Sequence, residues 1–480
     1  MKKLFGTDGI RGIAGEYPLV PKLIKKIGYI AAIVLSNKAR KKMRGFIPIS
    51  IGMSKPEASH HIVAENLFSV SEAKRNEIVL GKDTRESSGW ISKIICEGIT
   101  SAGVNVFDCG VISTPAVSYI ASKRKSIAGC VISASHNPSE FNGIKFFSND
   151  GIKIADQKEL EIEKLVLGTD LHKQNENKIA GKILYRDTTA EKQYLNFLLS
   201  TVKPVTNLSQ LKIVVDCANG SNYKTAAQVF DKLKANTTVI FNQPDGKNIN
   251  HNCGSLHLKT LQKTVVEQNA DFGIAFDGDG DRCIFVDDEG EIRDGDYLIA
   301  IAANYLKKNN ALKNNGLIAT VMANFGFYKM MEKLGINVFT CAVGDKYVFE
   351  QMLKNDVILG GEQSGHIIFR NFLNTGDGLL TALQITSIIH KTVKPLSELA
   401  KIIKKYPQVL LNVKVEKKLP ITENKKLSDT IKNVEQKLKD NGRVLIRYSG
   451  TEPLLRIMVE GPDNKIINQY AQEIASAVNL

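Results

Sequence analysis

Residues 277–282 read Asp-Gly-Asp-Gly-Asp-Arg, three carboxylates spaced two apart behind the apolar run Phe272–Phe276. Alternating glycines let a backbone curl until the three side chains meet. Three such carboxylates repel one another unless a cation sits among them, and oxygen ligands favour a hard ion such as Mg²⁺ or Ca²⁺. A single Asp-Gly would suffice for a surface hairpin; two in succession with a third acid point to a metal site at Asp277, Asp279 and Asp281. An EF-hand-like calcium loop is excluded, because its sixth position must be glycine and here is Arg282.

Ser133-Ala-Ser-His-Asn-Pro138 follows the apolar stretch Ala128–Ile132, which presents Ser135 at a strand end. No Gly-x-Ser-x-Gly elbow surrounds it, and adjacent side chains such as Ser135 and His136 are expected to point apart, which argues against a serine-hydrolase pair. Taken with the Asp loop, Ser135 reads as a phosphoserine whose phosphate completes the ion's oxygen shell.

Gly360-Gly-Glu-Gln-Ser-Gly-His366 follows the strand-like Val357–Leu359. If that segment is extended, Glu362 and Ser364 share a side and suit paired hydrogen bonds to sugar hydroxyls. His366 reads equally as a structural imidazole or a proton shuttle. Near the C-terminus, Arg447-Tyr-Ser-Gly-Thr-Glu-Pro453 with Arg456 gathers hydroxyls, backbone N–H groups and two guanidiniums around Gly450. That inventory suits a phosphate.

The elements needed to position these loops are legible. Strand-then-helix units recur over the first ~400 residues, which predicts α/β layers around largely parallel sheets. Two echoes hint at tandem units: Gly103–Cys109 with Gly335–Cys341, and Ala218-Asn219…Tyr223-Lys224 with Ala323-Asn324…Tyr328-Lys329. The tail changes character. Val409–Val415, Arg443–Arg447 and Leu455–Val459 read as strands, and Leu427–Lys439 and Lys465–Val478 as helices, an α+β domain beginning near Tyr406-Pro407. Residues 36–77, rich in Lys, Arg and Ser with little periodicity, read as a long insert; its His60-His61 pair reads as incidental.

Composition excludes several classes. No apolar run approaches the ~18 residues of a membrane span, and the start (MKKLFGTDGIRG) lacks the apolar core of a signal peptide. The seven cysteines form no Cys-x-x-Cys pair, which argues against zinc or a disulfide framework and for a reducing, cytoplasmic setting. A net charge of +14 is spread as lysine along the chain, so it fits anionic small substrates better than a nucleic-acid stripe.

These motifs, in this order, resemble the α-D-phosphohexomutase superfamily over essentially the whole chain. FGTDGIRG at 5–12, VGDKYV at 343–348 and Gln363 within GEQSGH make it most similar to the amino-sugar branch. The resemblance implies three tandem related α/β domains plus a C-terminal α+β domain around a central active-site cleft. The expected divisions are 1–186, with the basic insert near 37–77, then 187–296, 297–405 and 406–480. It implies an intramolecular phosphotransferase of the isomerase class, interconverting glucosamine 6-phosphate and glucosamine 1-phosphate through a 1,6-bisphosphate and feeding UDP-N-acetylglucosamine and peptidoglycan. A glucose- or mannose-phosphate mutase is the alternative.

Carried over, Ser135 is the phosphoserine and, with Asp277, Asp279 and Asp281, a ligand of one Mg²⁺; Arg11, His136, Lys145 and His366 serve the transferring phosphoryl group or its proton exchange. Arg282, Gly344, Asp345, Glu362, Ser364, Arg447, Ser449, Gly450, Thr451 and Arg456 hold the substrate. The implied partner is a phosphorylated amino sugar, with no nucleic acid and no membrane; a homodimer is compatible with the resemblance.

Overall fold

The computed structural model describes residues 4–6, 8–36, 75–168, 180–184, 189–203, 205, 207–449 and 453–478. They form two compact units, Met1–Val321 with Phe339–Ala400, and Met322–Val338 with Lys401–Leu480. Most of the expected insert, including His60 and His61, lies outside the described residues. Its end does not: the strand Arg75–Lys82 takes in Arg75, Asn76 and Glu77, a correction to the reading of 36–77. Glu77 is a buried acid that a propensity reading keeps out of a strand. Here it accepts from Arg124 Nε at 2.7 Å and Ser126 Oγ at 2.9 Å, so burial leaves it satisfied.

Three mixed sheets share one core order. In the seven-stranded sheet, Phe141–Ser148, Ser126–Ile132, Arg75–Lys82 and Asn105–Val111 are successive neighbours. The five-stranded sheet runs Cys283–Asp287, Phe272–Phe276, Lys212–Asp216, Asn236–Ile240 after its edge strand Ile292–Arg293. The four-stranded sheet runs Ile367–Phe369, Leu359–Gly361, Gly316–Thr320, Asn337–Cys341. In each, the first and third strands in chain order pair parallel. The fourth returns antiparallel to the third.

Three related α/β domains are therefore real, and their repeat unit is larger than the short sequence echoes suggested. The connection from third to fourth strand is the serine loop in the first sheet, the Asp loop in the second and the Glu362 loop in the third. The third strands Ser126–Ile132 and Phe272–Phe276 are buried along their whole length, as expected where helices cover both faces. Each loop therefore leaves a rigid, fully buried strand, which limits how far its side chains can wander.

The second unit contains an antiparallel sheet in the order Gln408–Lys414, Leu454–Glu460, Arg443–Tyr448. The helices Lys425–Leu438 and Asn464–Ser476 cover it through Leu427, Val434, Ile467, Ala471 and Ile474, packed with Leu455, Ile457 and Val459. These five elements follow the tail as read from its hydrophobic periods, and the α+β assignment holds. No helix among the described residues is long and apolar enough to cross a membrane.

Candidate active site

The Asp loop is a hairpin tip, with Phe276 paired to Cys283 across antiparallel strands. It is not a surface turn: Asp277, Asp279 and Asp281 are 0%, 1% and 6% exposed. Gly278 is required by close approach, since a Cβ there would stand 2.7 Å from the Ser135 carbonyl oxygen. Gly280 has φ +75°, in the left-handed region. The curl brings one oxygen from each carboxylate within 4.8 Å of the others. Asp279 Oδ1 and Asp281 Oδ1 are buried and accept no hydrogen bond. Buried carboxylate oxygens without donors are costly, and an all-oxygen donor set of this kind fits a hard divalent cation.

The three acids are not equivalent. Burial, with Asp281 and Asp279 nearby, pushes the Asp277 carboxyl well above the usual range. Burial works the same way on Asp281, but Lys145 and the adjoining His366 outweigh it and hold that group ionised. Asp279 accepts from Lys145 Nζ at 3.0 Å and Thr114 Oγ1 at 2.7 Å.

Ser135 is fully buried at φ 53°, and its Oγ donates to Asp277 Oδ2 at 2.6 Å. The serine and Asp loops, 142 positions apart, thus meet at the atom expected to carry phosphate. One expectation fails here. Ser135 and His136 do not point apart, because the left-handed backbone at Ser135 brings its Oγ to 3.3 Å from His136 Nδ1. The pair is still no hydrolase dyad. Arg282 Nη1 donates to that same nitrogen at 3.0 Å, and burial followed by Arg282 and Arg11 depresses the imidazole to about 4, leaving it neutral.

Sequence reasoning passed over the residues that hold the serine loop in place. Arg85 Nη2 donates to the Ser135 carbonyl at 3.0 Å and the Asn137 carbonyl at 2.8 Å, and Nη1 to that of Pro138. Its Nε pairs with Asp83 Oδ2 at 2.8 Å, both side chains wholly buried. Asp83 Oδ2 also takes Ser133 Oγ at 2.6 Å, and Asn250 Nδ2 reaches the Ser135 carbonyl at 2.9 Å. Asp-x-Arg directly after an apolar strand was the available signal for the first two; Asn250 carried none. Arg85→Met is expected to destabilise the protein by about 3–5 kcal/mol, because it strands Asp83 as an unpaired buried charge. Denaturant unfolding of the single variant and of Asp83→Asn/Arg85→Met, which removes both charges, checks this; the double variant should be the less damaged.

The cations converge on the same point. Lys145, 4% exposed, lies 3.0 Å from Asp279 and 3.8 Å from Asp281. Against burial, those acids and Asp8 hold it protonated. Arg11 Nη1 donates to Asn137 Oδ1 at 3.0 Å. Arg282 donates its backbone N–H to Asp277 Oδ1 at 3.1 Å and, against burial, is held charged by Asp281 and Asp277. His366 Nδ1 stands 3.6 Å from Asp281 Oδ2. Burial opposes its protonation, but the adjoining Asp281 carboxylate carries it up to about 9, so this imidazole is a cation at neutral pH.

In the third domain Glu362 and Ser364 do lie together, with Ser364 Oγ donating to Glu362 Oε2 at 3.4 Å. The reason differs from the one expected. They occupy a tight turn closed by Gly365 N–H to the Glu362 carbonyl at 3.0 Å, with Gly365 at φ 90°, and not an extended strand. Glu362 Oε1 accepts the Gly344 N–H at 3.0 Å, which ties the two loops. Asp345 begins the helix Asp345–Lys354 and lies 3.8 Å from Lys153 Nζ.

In the second unit Arg447 faces Arg456 across the antiparallel pair. Burial, then Arg456, lowers the Arg447 pKa. Two guanidiniums directly opposite cost stability unless an anion joins them. Ser449 is buried at the strand end; Gly450 and Thr451 lie outside the described residues.

The chain matches the four domain models of phosphoglucomutase/phosphomannomutase: the α/β/α domains I, II and III over residues 54–173, 192–290 and 294–406, and the C-terminal domain over 410–477. It is 44% identical over 480 residues to the phosphoglucosamine mutase of Caldicellulosiruptor bescii, covering 100% of this chain and 99% of that one. The phosphoglucosamine mutase of Citrifermentans bemidjiense is 45% identical over 479 residues, with coverage of 100% and 98%. Among solved structures, a phosphoglucomutase/phosphomannomutase family protein from Burkholderia thailandensis superposes with TM-score 0.76 at 21% identity, over 99% and 97% of the two chains. An N-acetylphosphoglucosamine mutase from Aspergillus fumigatus gives 0.67 at 18%, over 99% and 96%. Both likenesses are of fold.

Proposed function

Because the chain belongs to the phosphoglucomutase/phosphomannomutase family, with all four of its domains present, we propose that it interconverts glucosamine 6-phosphate and glucosamine 1-phosphate. The observation that carries the chemistry is the contact of Ser135 Oγ with Asp277 Oδ2 at 2.6 Å, at the head of three converging carboxylates. The sugar rests on whole-chain identity of 43–45% to phosphoglucosamine mutases.

Ser135 is the phosphoryl carrier. Its oxygen gives up the group to one hydroxyl of the sugar phosphate, forming a 1,6-bisphosphate, and takes back the other phosphate after the sugar turns end for end. Transfer of this kind needs in-line positioning and charge neutralisation more than covalent chemistry from the protein. Arg85 and Asn250, bonded to the Ser135 carbonyl, fix the direction in which Oγ points. Lys145, Arg11 and Arg282 supply fixed positive charge around it. Asp277, Asp279 and Asp281 would hold Mg²⁺, which when bound supplies Lewis-acid stabilisation of the phosphoryl oxygens.

His366, protonated against Asp281, is suited to give up a proton, while His136, neutral with its Nδ1 accepting from Arg282, is assigned to orienting the groups around the transferring phosphoryl. Glu362, Ser364, Gly344 and Asp345 are assigned to the sugar hydroxyls, and Arg447, Ser449, Gly450, Thr451 and Arg456 to the phosphate that is not reacting.

Side-by-side turnover of glucosamine, glucose and mannose 1-phosphates tests the substrate. The amino sugar is expected to be preferred by about tenfold or more in kcat/KM, the scale of one well-placed polar contact. Equal or better turnover of a neutral sugar would sink the amino-sugar assignment while leaving the mutase reading intact.

A further inference from the structure

Asp8 has no part in the scheme above, yet it lies among the cations that scheme relies on. The Arg11 guanidinium pairs with its Oδ2. Lys145 Nζ lies 3.5 Å and Lys153 Nζ 4.0 Å from its Oδ1. The two lysines are 4% and 6% exposed, so water screens them poorly. Arg11 comes from the strand Gly9–Ile13, Lys145 from Phe141–Ser148 and Lys153 from the segment that bridges back to Phe147 beyond the following turn. One carboxylate thus gathers three charges from separate segments. Two of those cations reach onward to the reacting centre, Lys145 to Asp279 and Arg11 to Asn137 of the serine loop.

A phosphoryl group must arrive at this centre and leave it again in every catalytic cycle. Lys145 is also paired with Asp279 and Asp281, and Lys153 with Asp345. Asp8 adds a counter-charge common to all three cations. Without it they would bind the resting phosphate more tightly as well as the transferring one, and uniform binding of that kind does not raise turnover. Asp8 does not reach the serine oxygen itself; it acts through Arg11 and Lys145. We propose that Asp8 is a positioning residue that holds Arg11, Lys145 and Lys153 in place and moderates their charge so that phosphate is released. The kinetic side rests on the mutase reading; the binding side does not.

The test compares Mg²⁺-supplied wild-type protein with Asp8→Asn and Asp8→Glu. For Asp8→Asn, KM for glucosamine 1-phosphate should fall about tenfold and kcat should fall with it, while inorganic phosphate, by calorimetry, binds about tenfold tighter, the scale of one charge removed at a few ångströms. Asp8→Glu should restore wild-type values. A merely structural loss gives the opposite split, with KM raised or unchanged and phosphate no tighter, and that result overturns the proposal. If Asp8→Asn does not fold by circular dichroism, Asp8→Ser carries the same test; failure of both to fold also overturns it. Should the wild type not turn over glucosamine 1-phosphate, the functional reading falls, and the calorimetric comparison still decides the role of Asp8.

Discussion

Replacing Ser135 by alanine is expected to lower mutase turnover by on the order of 10⁴-fold, because the atom that accepts and returns the phosphoryl group is gone and no neighbour replaces it. The hydroxyl two residues back, Ser133 Oγ, is committed to Asp83 at 2.6 Å and to the Ser135 N–H at 2.9 Å. The fold should survive. The substitution deletes the hydrogen bond to Asp277 and the longer contact with His136 and costs roughly 1–2 kcal/mol, while the Arg85 and Asn250 bonds to the Ser135 carbonyl need no side chain. Steady-state assay with circular dichroism separates the two effects, and intact mass before and after phosphatase treatment should show one removable phosphate on wild type and none on Ser135→Ala. Wild-type turnover by the alanine variant would end the phosphoserine scheme.

Asp277→Asn should separate activity from stability in opposite directions. In the metal-free protein Asp277 is wholly buried with two other carboxylates, and its pKa is driven up because ionisation there is unfavourable. A raised folded pKa means that the folded state holds this proton more tightly than the unfolded chain does. The metal-free protein should therefore gain stability as pH falls through that raised value and lose it as pH rises. An asparagine removes the repulsion at every pH and still offers an oxygen to the Arg282 N–H. The metal-free variant is expected to melt a few degrees higher than the wild type above neutral pH, a stability gain set against function.

Turnover should drop by on the order of 10²–10³-fold, as when a major electrostatic contributor is lost. Thermal melts with and without Mg²⁺ provide the check. Added Mg²⁺ should raise the wild-type midpoint by ligand linkage and move the variant's much less. An equal Mg²⁺ shift in both proteins would remove Asp277 from the metal site.

Particular residues show why some of this was legible in the sequence and some was not. Asp277, Asp279 and Asp281 are local: glycine spacing and carboxylate repulsion act over six residues, so both the convergence and the demand for a hard cation follow from the order of the letters. The tail strands and helices follow likewise, because the 2.0 and 3.6 periods register which face is buried. Glu362 and Ser364 were paired correctly for the wrong geometric reason, since a turn closed by Gly365 and an extended strand can both juxtapose alternate residues.

What only the tertiary structure decided is long-range. Ser135 meets Asp277 across 142 positions, and Asp83 and Arg85 neutralise each other inside the core while holding a loop some fifty residues on. The opposite protonation of His136 and His366 depends on which charges happen to be packed against each, Arg282 in one case and Asp281 in the other. Asp8 becomes interesting only once three cations from separate segments surround it. Local spacing determines which groups a loop can bring together; burial and the company of distant charges, which no window of sequence contains, determine the state in which those groups work.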